Sequence, residues 1–95
     1  MAQWALVTGA TAGIGESFTR LLASKGYNIA LVARDEARMH ERAASLREKY
    51  GVQTFVLRAD LSTEQGCRAV EDYITTYPIE VLINNAGFGD RKSVV

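Results

Sequence analysis

Residues 4–15, WALVTGATAGIG, decide the fold of this chain. An apolar run of five residues leads directly into glycines at positions 9, 13 and 15, as a buried strand that ends in a tight loop does. The apolar side chains that follow are spaced by four, three and one residue, at Ile14, Phe18, Leu21 and Leu22. This spacing predicts a helix of about 12 residues with those four side chains on its buried face.

Three further strands are predicted beyond this first unit. They are the apolar or β-branched runs NIALVA at 28–33, VQTFVLR at 52–58 and EVLIN at 80–84. Strands that alternate with helices imply parallel pairing through right-handed crossovers. We therefore predict an α/β fold: a truncated, three-layer, Rossmann-like doubly wound parallel sheet with the strand order 3-2-1-4. Ligands of such sheets bind at the carboxyl ends of the strands where the order reverses, here between strands 1 and 4.

Two more helices are expected between these strands. Asp35 is the predicted N-cap of the second helix, and Gly51 closes it. Ser62, followed three residues later by Gln65, has the form of a capping box for the third helix, which ends at Pro78. Aromatic and apolar residues assigned to the core include Trp4, Phe18, Phe55, Val70, Ile74 and Tyr77.

Length and charge limit the classes of function. The 95 residues are fewer than the ~100 to 200 of a usual domain, so we expect one partial domain over 1–95, with a loose tail at 88–95. Eleven basic and eleven acidic residues balance, which argues against nucleic acid or an anionic membrane as a partner. No apolar run approaches the ~20 residues of a membrane span, and a lone Cys67 forms no intrachain disulfide, so a cytoplasmic location is expected. His40 is expected to be a solvated residue without a partner, and Cys67 a packing or surface thiol.

The glycine loop predicts a phosphate site. Free N–H groups and the dipole at a helix N-terminus favour an anion, and glycines let the backbone approach a ligand closely. A nucleotide pyrophosphate is the expected ligand. The spacing Gly9-x-x-x-Gly13-x-Gly15 differs from the phosphate loop of ATP and GTP hydrolases, and no lysine follows the glycines. A tight turn without a ligand is the alternative that the loop alone leaves open.

Three motifs together resemble those of the short-chain dehydrogenase/reductase family. The segment 8–15 resembles T-G-x-x-x-G-I-G, 60–61 (Asp-Leu) resembles the acidic-apolar pair that follows the third strand, and 84–87 resembles N-N-A-G. Each motif stands at the carboxyl end of a predicted strand, and the resemblance covers residues 4–87. It implies part of an oxidoreductase that transfers hydride between a nicotinamide cofactor and a carbonyl or secondary alcohol.

The resemblance also implies a role for each motif. The glycine loop would wrap the pyrophosphate and the adenosine ribose. Asp60 would accept a hydrogen bond from the adenine amino group, and the backbone of Leu61 would contact the adenine ring. Asn84 would tie neighbouring strands together. The implied cofactor-binding residues are Gly9, Ala10, Thr11, Ala12, Gly13, Ile14, Gly15, Arg34, Asp60, Leu61, Asn85, Ala86 and Gly87, the last three on the ribose side; no metal ligand is implied.

The choice between NADP and NAD depends on the end of the second strand, which reads Ala33-Arg34-Asp35. A basic side chain there accommodates a ribose 2′-phosphate, whereas an acidic one binds the 2′-hydroxyl. Ala33 stands where the NAD-specific members of the resembled family place aspartate, and Arg34 where NADP-using members place a basic residue. NADP is therefore favoured. The alternative takes Asp35 as the ribose ligand. Position 12 is alanine, where some NADP-using members carry a second basic residue.

The catalytic Ser and Tyr-x-x-x-Lys of the resembled family are not found among these 95 residues, because no tyrosine has a lysine four positions later. Without a proton donor the chain by itself is expected to be inactive. We expect a fragment of a longer enzyme, or a chain that self-associates through the exposed edge of strand 4 and the under-covered sheet face beside the third helix. The small-molecule substrate belongs to a full-length form only. A non-catalytic module that senses dinucleotides or binds a partner is the alternative function.

Overall fold

Strands and helices alternate along the whole part of the chain that the computed structural model describes, residues 3–9 and 13–84. The strands are β1 (Trp4–Thr8), β2 (Asn28–Ala33), β3 (Thr54–Arg58) and β4 (Ile79–Asn84), and the helices are α1 (Gly13–Ser24), α2 (Glu36–Tyr50) and α3 (Glu64–Thr76). The predicted alternation is confirmed. The sequence placed the start of β3 too early and the start of β4 one residue too late.

The four strands form one parallel sheet in the order β3-β2-β1-β4, which confirms the predicted topology. Leu6 of β1 lies between Ala30 of β2 and Leu82 of β4. The order reverses between β1 and β4, where the buried Thr8 hydroxyl also donates a hydrogen bond of 3.4 Å to the carbonyl oxygen of Ile83. The predicted switch point therefore lies at the carboxyl ends of these two strands.

Each face of the sheet carries its own apolar cluster. One face packs against α1 and α2 through Leu22, Met39, Ala43 and other buried residues. Among the described helices the other face packs against α3 only, and its buried members are fewer: Leu6, Ala30, Val32, Ala59 and Val70. Two helices on one face and one on the other is the arrangement that the sequence predicted, so the α3 face has the thinner cover.

The face that α1 buries differs from the predicted one. Ile14 is 66% exposed and Leu21 is 49% exposed, whereas the buried residues of the helix are Gly15, Thr19, Leu22 and Ala23. The spacing of four, three and one is right, but the face is rotated by one residue. Three of the four buried positions, 15, 19 and 23, carry small side chains.

The second helix has the predicted caps. The Oδ1 atom of Asp35 accepts a hydrogen bond of 3.1 Å from the backbone N–H of Arg38, which satisfies one of the free donors of the first turn. At the other end Gly51 has a φ of 72° and donates its N–H to the carbonyl of Arg47. Both predictions are confirmed, and the left-handed φ explains why a glycine ends this helix.

The third helix is capped by Thr63, so the prediction of Ser62 as N-cap is wrong. The Thr63 hydroxyl oxygen accepts from the backbone N–H of Gly66 at 3.0 Å. The Ser62 hydroxyl instead donates to Oδ1 of Asp60 at 2.6 Å. Both residues are hydroxyl-bearing and adjacent, and the bond to Asp60 decides which of them is left to cap the helix.

Two aromatic residues assigned to the core lie at its surface. Phe55 is 42% exposed and Tyr77 is 50% exposed. Phe55 belongs to β3, an edge strand of the sheet that residues 3–9 and 13–84 form, and Tyr73 of α3 stacks on its ring at a centroid distance of 4.9 Å. An edge strand leaves the other side of the ring in solvent. Trp4 and Phe18 are half-buried against the two clusters.

His40 and Cys67 lie away from the carboxyl ends of β1 and β4. His40 is exposed, as predicted, but its Nε2 atom lies 3.5 Å from Glu36 one turn earlier, so the expectation that it has no partner was wrong. Cys67, a residue of α3, is half-buried and packs against the apolar cluster beneath that helix, and its Sγ atom lies 3.3 Å from the carbonyl oxygen of Leu61. These contacts confirm a packing role. Within the described ranges, none of the helices is both long and apolar enough for a membrane span.

Candidate functional site

Several of the residues predicted to bind a cofactor meet at one edge of the sheet. Gly9 follows β1, Arg34 follows β2, and Asp60 comes shortly after β3, and carboxyl ends of parallel strands lie on the same edge. The N–H of Gly9 donates to the carbonyl of Val32 at 2.8 Å, which holds the start of the glycine loop against the end of β2. The site is therefore built from neighbouring strand ends.

The described glycines of the loop have the backbone that a phosphate site needs. Gly9 and Gly13 have φ values of 64° and 59°, in the left-handed region that favours glycine. A Cβ built on Gly13 would meet nothing within 4 Å, so the space beside it is open. The helix α1 begins at Gly13, and the N–H groups of a first turn have no partner inside the helix. These open donors fit a pyrophosphate.

A carboxylate also stands in the first turn of α1 and would repel a phosphate if its charge were unbalanced. Two arginines surround this side chain, Glu16: its Oε2 atom lies 3.3 Å from Nε of Arg42 and 3.6 Å from Nη1 of Arg20. The Arg42 Nε contact is ionic and lacks hydrogen-bond geometry. Because Arg42 belongs to α2, the pair also links the two helices whose N-termini flank the site.

The end of β2 presents a cation. Arg34 is exposed and forms no ion pair or hydrogen bond with any residue in the described ranges. Asp35, the competing candidate for ribose recognition, uses its Oδ1 atom to cap α2. The geometry thus favours the assignment of Arg34 to the site and of Asp35 to the helix.

Asp60 forms a tight turn with Ser62. Its Oδ1 atom accepts hydrogen bonds from the backbone N–H of Ser62 at 3.0 Å and from the Ser62 hydroxyl at 2.6 Å. These bonds lower the pKa of the Asp60 carboxyl, and the positive charges of Arg34 and Arg58 add to the effect. The side chain is therefore an anionic acceptor at neutral pH, and the turn loses this support only as the pH falls through the lowered pKa.

Gly66 supports this turn, a role that was not predicted from the sequence. A Cβ built on Gly66 would overlap the carbonyl oxygen of Asp60 and lie 2.6 Å from its carbonyl carbon. The same carbonyl accepts from the N–H of Thr63 at 3.0 Å and from its hydroxyl at 2.8 Å. The sequence does carry a signal, because a glycine inside a helix costs about 1 kcal/mol relative to alanine unless packing requires it.

The remaining predicted site residues fall into two groups. Ala10, Thr11, Ala12, Asn85, Ala86 and Gly87 lie outside the described residues. Ile14 and Gly15 lie in the first turn of α1, and Leu61 packs partly against the α3 cluster directly after Asp60. No group of three metal-ligating side chains occurs in residues 3–9 and 13–84.

A family model and curated relatives match nearly the whole chain. The model for short chain dehydrogenases matches residues 3–94. A very-long-chain 3-oxoacyl-CoA reductase from Scheffersomyces stipitis is 42% identical over 87 residues. That match covers 90% of this chain and 25% of the relative. The chain thus spans about a quarter of the length of the curated relatives it matches.

Solved structures have the same fold. A short-chain dehydrogenase from Sphingobium yanoikuyae in complex with NADPH has a TM-score of 0.86 and 38% identity, covering 97% of this chain and 36% of that one. The L-sorbose reductase of Gluconobacter frateurii, complexed with NADPH and L-sorbose, has a TM-score of 0.82 and 37% identity, covering 98% and 36%. With the strand order, the open glycine turn and the cation after β2, these matches show that the chain belongs to the short-chain dehydrogenase family.

Proposed function

We propose that this chain is the NADP(H)-binding part of an oxidoreductase that interconverts a carbonyl compound and a secondary alcohol. The observation that carries the proposal is the meeting of the glycine turn, the first turn of α1, Arg34 and Asp60 at one edge of the sheet. The NADPH complexes of the two similar structures support the same cofactor. The curated relatives are named for a 3-oxoacyl-CoA substrate and one of the similar structures for L-sorbose, so the proposal extends no further than the carbonyl class.

Each group of residues binds a different part of the cofactor. The N–H groups at the start of α1 hold the pyrophosphate, because they are unpaired donors at the positive end of the helix. Arg34 pairs with the 2′-phosphate, since a guanidinium offers two parallel donors to phosphate oxygens. Asp60, ionised at neutral pH, accepts from the adenine amino group with the oxygen that Ser62 leaves available. Bound NADPH supplies the hydride.

The substrate and the proton donor belong to a longer protein in this proposal. Hydride addition to a carbonyl requires a general acid that protonates the oxygen. None of Tyr27, Tyr50, Tyr73 and Tyr77 has a lysine four residues later. We infer that a full-length form supplies the acid and the substrate pocket, and that this part of the chain positions the cofactor.

Replacing Arg34 by alanine is expected to weaken NADPH binding about tenfold or more while NADH binding changes less than about twofold, because a charge-assisted bidentate contact is lost with the 2′-phosphate alone. Calorimetric titration of both nucleotides measures the two dissociation constants. Arg68→Ala, an exposed arginine that pairs with Glu64 on α3, is the matched control. An equal loss of affinity for both nucleotides would contradict the assignment.

We also propose that the chain self-associates through the thinly covered α3 face and the edge strand β4. Val81 and Leu82 of β4 are half-buried, and a parallel edge strand presents unpaired backbone groups. Light scattering over a tenfold concentration range is expected to show a mass above that of one chain. Leu82→Lys, which places a charge on this surface, should shift the population toward monomer; a monodisperse monomer before substitution would contradict the proposal.

A further inference from the structure

A second arginine lies beside Arg34 at the edge of the sheet. Arg58 is the last residue of β3 and pairs in register with Ala33 of β2, the residue directly before Arg34. The ladder continues past this pair, because the N–H of Ala59 donates to the carbonyl of Ala33 at 3.0 Å. Neighbouring strands lie about 4.8 Å apart, so the two arginines start from adjacent points of the backbone.

Neither arginine forms a direct ion pair with a neighbouring acid, and the charge of the Asp60 carboxylate acts on both from a distance. Within the described ranges, Arg34 and Arg58 form no ion pair or hydrogen bond, and both are exposed. Three carboxylates lie near this corner, and each has another partner. Asp35 caps α2 through the N–H of Arg38, Glu36 lies 3.5 Å from His40, and Asp60 accepts twice from Ser62.

The side of the sheet on which Arg58 lies follows from the strand alternation. Val56 packs against the cluster under α1 and α2, and Leu57 packs against the cluster under α3. Successive side chains point to opposite faces, so Arg58 lies on the same face as Val56. It therefore lies on the α2 face, at the carboxyl end of β3. Arg34 lies just beyond the carboxyl end of the neighbouring strand β2, where the chain continues into α2.

Two like charges at adjacent strand ends repel one another, and a bound anion between them removes this repulsion. We propose that Arg58 is a second specificity-determining residue for the 2′-phosphate of NADP(H), acting together with Arg34. The inference rests on the proposed function. It also explains how a site with Ala12 in its glycine loop obtains a second positive charge, because β3 provides it instead.

The test compares four chains: the natural sequence, Arg58→Gln, Arg58→Lys and the control Arg47→Gln. Arg47 lies in the last turn of α2, is exposed, and donates to the hydroxyl of Thr54 in β3 at 2.7 Å. It therefore also contacts β3, but at the end opposite to Arg58. The ligands are NADPH, NADH, 2′,5′-ADP and 5′-AMP, titrated by calorimetry. Circular dichroism establishes that every chain is folded.

We expect Arg58→Gln to weaken NADPH and 2′,5′-ADP about tenfold, the scale of one charge-assisted hydrogen bond, and to change NADH and 5′-AMP less than twofold. Arg58→Lys should retain part of the preference, and Arg47→Gln all of it. The difference between the natural chain and Arg58→Gln should shrink as salt rises, because the contact is exposed.

Two results would overturn the inference while leaving the proposed function standing. One is an unchanged affinity of Arg58→Gln for NADPH. The other is an equal loss for NADPH and NADH, which is what a structural role at the end of β3 would produce. If the natural, folded chain binds neither NADPH nor NADH at millimolar concentration, the proposed function fails as well, so the two failures are distinguishable.

Discussion

Gly66→Ala is expected to destabilise the protein by about 3 kcal/mol, the upper range for overpacking a tight contact. The added methyl group would overlap the Asp60 carbonyl oxygen, and backbone atoms on both sides have little freedom to move. Helix propensity alone predicts the opposite sign, a gain of about 1 kcal/mol for alanine. Urea unfolding, followed by circular dichroism, gives the free energy of unfolding and decides the sign.

The neighbouring exposed residue offers a matched control for this substitution. Gln65 lies one position earlier in the first turn of α3 and is exposed, so Gln65→Ala should change stability by less than about 0.5 kcal/mol. A Gly66→Ala chain as stable as the natural one would contradict the close approach of α3 to Asp60. The same chain should also bind NADPH more weakly than Gln65→Ala, because Asp60 has to move.

Leu31→Ala is expected to cost about 3 to 4 kcal/mol through lost burial and the cavity left behind. Leu31 is fully buried in β2, paired with Val7 on one side and Val56 on the other. A chain of this length has a total stability of about 5 to 14 kcal/mol, so the loss is a large part of it. Thermal and urea midpoints should both fall sharply.

Leu21→Ala removes the same atoms from a different environment. Leu21 is 49% exposed on the outer side of α1, so its removal should cost less than about 1 kcal/mol. A cost equal to that of Leu31→Ala would mean that α1 buries the face that the sequence spacing first suggested. The pair of variants therefore tests the rotation of the helix as well as the core.

Structural roles were predicted correctly where few residue types can fill the position. Glycines at a strand end, Asp35 before a helix and Gly51 after it were placed correctly, since left-handed φ values and free N–H groups admit few side chains. The strand order followed from the alternation of elements and the handedness of crossovers. These features are local, or follow from general rules of chain connection.

The wrong predictions concern residues that the sequence pattern does not distinguish, so that contacts in the folded chain decide between them. The same spacing fits two neighbouring faces of α1, and the buried face is the one that carries Gly15, Thr19, Leu22 and Ala23. Ser62 and Thr63 can both cap a helix, and the turn at Asp60 selected Thr63. Phe55 is apolar in a β-rich run, but its position on an edge strand leaves it exposed. Each outcome depends on contacts that the pattern of residue types does not specify.

The pairing of β1 with β4 has a consequence for the order in which the chain folds. Thr8 and Ile83 are joined by a hydrogen bond across 75 residues, whereas β1 pairs with β2 across a single helix. Contacts of large sequence separation form late, because more chain must be ordered before they can close. The first three strands can therefore assemble during synthesis without β4. Arg34 and Asp60 follow β2 and β3, so this side of the proposed cofactor site can form with the first three strands, whereas the crevice between β1 and β4 exists only after β4 has docked.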